Sequence, residues 1–180
     1  IRHKRLFSAT DLKASGLRNR KLASNVEASS HGDAQYEDSV HLFFQPRNAM
    51  LYEVVESERR RQKDDKVVLW IDSGIISNVD FETLGMGHVG LFDGDPGNDV
   101  TRQYRSAKEG VKAIGRLYKG VLDRGWWPYP DVNGVRRMAQ AECILPWVDP
   151  KYIKGISVKN TDVEALVRRR IGPSSIVVNV

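Results

Sequence analysis

A chain of 180 residues with 41% hydrophobic and 28% charged side chains has the balance of one globular domain with its own core, spanning 1–180. Twenty-eight Lys and Arg against 23 Asp and Glu leave a net charge of +5, which favours an anionic partner at long range without identifying one. The single cysteine, Cys143, excludes an internal disulfide framework, and four scattered histidines offer no zinc-type ligand cluster, so no metal is expected. No apolar run approaches a membrane span and no signal-peptide pattern is present, which fits a cytoplasmic, reducing location; a chain that opens on Ile1 reads as a trimmed or excised domain.

The basic segment Ile1 to Leu6 reads as a first strand with His3 near its end, where a lone histidine is more often a surface or core residue than a ligand contact. Ser8-Ala9-Thr10-Asp11 then forms a capping box that opens a helix, stopped at Gly16. From Leu17 to Asp38 the composition is polar, consistent with an irregular loop that serves either as a lid or as a disordered connection. Val40, Leu42, Phe43 and Phe44 have the density of a buried strand, which Pro46 ends because it cannot donate to a ladder. Arg47 therefore stands at a corner beside the core, where its planar cation suits either a structural salt bridge, the first reading from local sequence, or a phosphate group.

Residues 53–65 are a mixed-charge run in which Arg59-Arg60-Arg61 could meet nucleic-acid phosphates, a case weakened by its acidic neighbours. Lys66 to Asp72 reads as a buried strand followed by a Ser73-Gly74 turn, residues 80–86 as holding one helical turn, and Val89 to Phe92 as a short strand. Asp93, Asp95 and Asp99 are spaced like cation ligands, but the calcium pattern fails, because Asn98 stands where glycine is required and Tyr104 where glutamate is. The spacing of Tyr104, Ala107, Val111, Ile114, Leu117, Tyr118 and Val121 predicts a helix over 101–122 with these residues as its core face.

Residues 125–134 pack Trp126, Trp127, Pro128, Tyr129 and Pro130 into one loop beside Arg136 and Arg137. Such a loop either stacks unpaired bases, at roughly 1–3 kcal/mol per base, or pins itself to the core with its own aromatics. Met138 to Pro146 returns to an apolar strand interrupted by Glu142, and a carboxylate there must pair with a cation or face a cleft, since burying it alone is costly. A strand at 155–158, a helix opened by a Thr161-Asp162-Val163-Glu164 capping box and a final strand at 175–180 complete the chain.

Phe44-Gln45-Pro46-Arg47-Asn48-Ala49-Met50-Leu51-Tyr52 and Arg136-Arg137-Met138-Ala139-Gln140-Ala141-Glu142, with Phe92-Asp93-Gly94 between them, make the chain resemble the DarT family of DNA ADP-ribosyltransferases. That family carries a Phe-x-Pro-Arg-x-x-Met-Leu-Tyr block early, an aspartate-glycine turn before a helix, and an Arg-x-x-Gln-Ala-Glu block late. The resemblance implies an α+β, ADP-ribosyltransferase-like fold of two packed, twisted β-sheets flanked by helices. It also implies transfer of ADP-ribose from NAD, as co-substrate, to a base of single-stranded DNA, with thymine ahead of guanine. Such an enzyme falls in the glycosyl- and nucleotidyltransferase vocabulary, and would act as the toxin of a toxin–antitoxin pair with a macrodomain antitoxin.

On the same resemblance Glu142 would be the catalytic glutamate, orienting the nicotinamide ribose, stabilising the oxocarbenium-like centre and helping to remove the proton of the attacking base. Arg47 would hold NAD and order the site. His3, Gly16 and Leu17 would contribute NAD contacts, although His3-Lys4-Arg5 keeps the histidine of the family's His-x-Thr and loses the threonine. Trp126, Trp127, Arg136 and Arg137 would meet the DNA strand. Three other readings stand beside this one: a non-catalytic single-strand nucleic-acid-binding module, a transferase whose acceptor is RNA or protein, and a metal-dependent nuclease using Asp93, Asp95 and Asp99.

Overall fold

The computed structural model describes residues 6, 39–44, 67–84, 89–96, 99–118, 141–172 and 176–179, and the architecture below refers to those. In chain order the elements are β1 (Val40–Phe43), β2 (Val67–Ile71), α1 (Gly74–Ser77), β3 (Gly90–Phe92), β4 (Gln103–Tyr104), α2 (Ala107–Tyr118), β5 (Glu142–Leu145), a 3₁₀ turn (Pro150–Tyr152), β6 (Ile153–Val158), α3 (Thr161–Ile171) and β7 (Val177–Asn179). They form two sheets with helices packed on them, the α+β class expected.

The first sheet has the order β1-β5-β3-β4 and is antiparallel throughout. Because side chains alternate across a strand, β5 sends Cys143 and Leu145 to one face and Glu142 and Ile144 to the other. The Cys143 face carries Leu42 and Leu91 in the same register and packs with Ile114 and Tyr118 of α2, with Ile75 and Ile76 of α1, and with Phe81. Each large apolar side chain buried there contributes roughly 1.5–3 kcal/mol, so this face holds the main core. Leu6 joins its margin through an antiparallel bridge to Val148, its N–H donating to the Val148 carbonyl at 2.7 Å.

The second sheet has the order β2-β6-β7, with β6 and β7 parallel. Parallel neighbours need a crossover, and α3 supplies it, covering Ile156, Val158 and Val178 with Val163. The cap of α3 is Asn160, whose Oδ1 accepts the Val163 N–H at 3.0 Å. Thr161 is thus the first helical residue and not the cap, and Glu164 pairs with Arg168 one turn on instead of reaching back. At the far end Gly172, at φ 67°, takes the left-handed conformation that closes the helix.

Four further expectations are corrected. Lys66 to Asp72 does form a strand, but Val67, Leu69 and Trp70 are exposed, because β2 is an edge strand with a single neighbour. β1 is likewise only half-buried at the edge of its sheet. The helix expected from residue 101 begins at Ala107, since Gln103 and Tyr104 pair with Phe92 and Leu91 as a hairpin strand. Val111, expected in the core face of that helix, is 51% exposed, because the buried stripe runs through Gly110, Ile114 and Tyr118 and leaves Val111 at its margin.

Where α2 crosses β3, a Cβ on Gly110 would stand 2.8 Å from the Cβ of Leu91, whereas one on Gly115 would meet nothing within 4 Å. Gly110→Ala should therefore destabilise the protein by about 1–3 kcal/mol through overpacking. Gly115→Ala, in the same helix, should stabilise it by up to about 1 kcal/mol, the helix-propensity difference, with both effects read from denaturant midpoints. Cys143 is 2% exposed and its thiol is pushed up to about 12 by burial and by the adjacent Glu142 charge. It should resist alkylation by iodoacetamide in the native protein at neutral pH and react fully once the chain is unfolded.

Candidate active site

The face of the first sheet opposite the main core carries the one carboxylate that belongs to a strand among the described residues. Glu142 begins β5, an interior strand with β1 on one side and β3 on the other, and is 4% exposed. In register it lies between Phe43 and Phe92, so aromatic side chains occupy the neighbouring positions on its own face. Ile144, two residues on, is fully buried and packs with Phe92 as a small separate cluster. The carboxylate is thus anchored on rigid backbone with little access to water.

A charge in such a place needs a polar partner, and His41 is one. His41 Nδ1 lies 2.7 Å from Glu142 Oε2. The pairing follows from the register: His41 stands opposite Ile144, hence diagonal to Glu142 on the same face, within reach of two long side chains. An ionised carboxylate can only accept, so this bond requires the hydrogen of His41 on Nδ1. Exposures of 25% for the His41 side chain and 5% for that of Glu142 put the imidazole on the solvent side of the pair. Low local dielectric strengthens a hydrogen bond of this kind and raises the cost of removing one partner.

His41 was not among the residues expected to act. Its signal in the sequence is parity: it shares the face of Phe43 and is the only titratable side chain in an otherwise apolar strand. Glu142 is where the sequence put it, on a strand and paired with a potential cation. Arg47, His3, Gly16, Leu17, Trp126, Trp127, Arg136 and Arg137 lie outside the described residues.

Asp93, the first of the aspartates following β3, has a structural task. Asp93 is buried, its Oδ1 accepting the Arg102 N–H at 2.8 Å and its Oδ2 the Tyr104 hydroxyl at 3.3 Å, while its own N–H donates to the Arg102 carbonyl. These bonds clamp the loop end of the β3–β4 hairpin, just beyond the Phe92–Gln103 pair, and hold β3 in place beside β5. Among the described residues no group of three His, Cys, Asp or Glu side chains is disposed to hold a metal. A cleft of about 350 Å³ opens elsewhere, lined by Leu145, Trp147, Asp149, Tyr152, Asp80 and Thr83 among others. Leu145 belongs to the other face of β5, so this cleft does not include the carboxylate.

The family model for "ssDNA thymidine ADP-ribosyltransferase, DarT" matches residues 2–180. A DNA ADP-ribosyl transferase–DNA ADP-ribosyl glycohydrolase fusion protein of Thermosipho africanus is 30% identical over 139 residues, which are 77% of this chain and 32% of that protein. The chain thus spans about a third of the length of this curated relative. Among solved structures, Thermosipho africanus DarTG in complex with ADP-ribose superposes with a TM-score of 0.68 at 22% identity, over 96% of this chain and 44% of the other. Thermus sp. 2.9 DarT superposes with a TM-score of 0.63 at 13% identity in its NAD+ complex, and 0.59 at 14% in its complex with ADP-ribosylated ssDNA, each over 99% of this chain and 87% and 86% of the other. At these identities the superpositions establish a common fold, that of the DarT ADP-ribosyltransferases. Since the family model extends over essentially the entire sequence, the chain belongs to the DarT family of single-stranded-DNA ADP-ribosyltransferases.

Proposed function

We propose that this protein transfers ADP-ribose from NAD to a base of single-stranded DNA and releases nicotinamide, with Glu142 as the catalytic carboxylate. The observation that carries the assignment is a glutamate held 4% exposed at the start of an interior strand, in a chain matched from residue 2 to residue 180 by the DarT family model. Solved relatives bound to NAD+ and to ADP-ribosylated ssDNA support the choice of both substrates.

A carboxylate fixed on a sheet accepts hydrogen bonds from ribose hydroxyls, and its negative charge opposes the positive charge that develops at the ribose C1′ as nicotinamide departs. The glycosidic C1′–nitrogen bond to nicotinamide breaks, a C1′–nitrogen bond to the base forms, and the base proton is taken up by a carboxylate positioned to receive it. Because the bond broken is glycosidic and the diphosphate stays intact, this is glycosyl transfer and not nucleotidyl transfer. Arg47 holds the NAD diphosphate or nicotinamide ribose in this reading, His3, Gly16 and Leu17 complete the NAD contacts, and Trp126, Trp127, Arg136 and Arg137 receive the strand. A net charge of +5 favours both polyanions.

Thymine is the proposed base, because the matching family is one of ssDNA thymidine ADP-ribosyltransferases. The proposed biological role is that of a toxin countered by a macrodomain glycohydrolase, which the fusion of transferase and glycohydrolase in the Thermosipho africanus relative supports. The proposed setting is cytoplasmic, where single-stranded DNA arises, and the 180 residues are read as one catalytic domain. No helix among the described residues is long and apolar enough to cross a membrane.

The test is mass spectrometry of single-stranded oligonucleotides, each offering one reactive base, incubated with NAD and protein. An ADP-ribose adduct on the thymine-containing oligonucleotide is expected, reduced at least about 100-fold by Glu142→Ala and unaffected by EDTA. Salt-sensitive DNA binding without nicotinamide release would instead favour a binding module, and activity abolished by EDTA would favour a metal-dependent nuclease.

A further inference from the structure

His41 is a second titratable group on the face of Glu142, and neither the family blocks nor the reaction outlined above uses it. We infer that His41 is a positioning residue for the transfer: its Nδ1–H, 2.7 Å from Glu142 Oε2, fixes one carboxylate oxygen and so sets the direction in which the carboxylate meets the ribose. This rests on the proposed role of Glu142. The two side chains come from different strands, β1 and β5, that are paired over four consecutive residues, so the contact inherits the stiffness of the sheet. Phe43 and Phe92 occupy the positions beside Glu142, and neither can replace a hydrogen-bond donor.

A glutamate has three side-chain torsions, and in a site that must present it to a sugar that freedom opposes reaction. A donor held on the next strand removes it. The imidazole also bears on specificity of charge: with Nδ1 donating, His41 stabilises the ionised over the protonated carboxyl, and only the ionised form opposes the positive charge at C1′. In this arrangement of roles the imidazole acts through Glu142, to which it is hydrogen-bonded, and not on the reacting atoms.

Steady-state nicotinamide release with a single-stranded acceptor tests the inference on native protein, His41→Ala, His41→Asn and Glu142→Ala, alone and combined. Asparagine places an N–H donor near the position of Nδ1. His41→Ala should lower kcat on the order of 10- to 100-fold, the effect of misdirecting a reacting group, with KM for NAD changed less than about threefold. His41→Asn should recover kcat to within about fivefold of native, and His41→Ala should cost nothing further once Glu142 is alanine, because a residue acting only through another is non-additive with it. Imidazole ¹⁵N NMR of the native protein should show His41 as the Nδ1–H tautomer.

Native-like kcat in His41→Ala, an equal loss in His41→Asn with native thermal stability, an additive loss on top of Glu142→Ala, or an Nε2–H tautomer would each overturn the inference. Should His41→Ala not fold, the Asn variant and the tautomer decide. A native protein that releases no nicotinamide overturns the functional reading itself, whereas native activity with indifferent His41 variants overturns the inference alone.

Discussion

The arrangement depends on one constraint, the two-residue alternation of side chains along β5. A strand that is interior to its sheet has two faces to fill, and β5 fills one with Cys143 and Leu145 against the helices and presents Glu142 and Ile144 on the other. The apolar residues on the first face provide the free energy that holds the strand, and the carboxylate on the second is carried with it. A shift of one residue in register would bury the charge in the main core and expose the thiol. The same contacts that stabilise the sheet therefore fix the position of the candidate catalytic group.

The neighbours of β5 serve that constraint in different ways. β3 is held close to α2 by Gly110, where a side chain would collide with Leu91, and its far end is clamped by Asp93 to the backbone of Arg102. β1, half-buried and at the edge of its sheet among the described residues, supplies His41. The second sheet has its own core under α3, formed by Ile156, Val158, Val163 and Val178, and meets the main core through Ile71 of β2.

Much of the framework was legible in the sequence because it rests on local patterns. The strands expected at 40–44, 66–72 and 138–146 and the helix expected over 101–122 each contain an observed element, β1, β2, β5 and α2. What escaped was set by neighbours far away in the chain. Exposure of Val67, Leu69 and Trp70 goes with β2 having one partner strand among the described residues, which composition does not encode. Gln103 and Tyr104 became a strand because Phe92 and Leu91 pair with them, and Asn160 displaced Thr161 as a cap because its side chain met the Val163 N–H. Glu142 was identifiable as an anomaly, a carboxylate in an apolar strand, and through its block Gln140-Ala141-Glu142. Its partner His41 lies 101 residues away and is revealed only by the register of β1 on β5.

The central claim is that the buried carboxylate on β5 is where the nicotinamide ribose is held. The most direct measurement is a crystal structure of the Glu142→Gln variant, which keeps the shape of the side chain, with NAD bound. The account predicts hydroxyl oxygens of the nicotinamide-side ribose within about 3.2 Å of the side-chain oxygen or nitrogen at position 142. Nicotinamide ribose bound elsewhere, for example in the cleft beside Trp147 and Tyr152, with no contact to position 142, would contradict it.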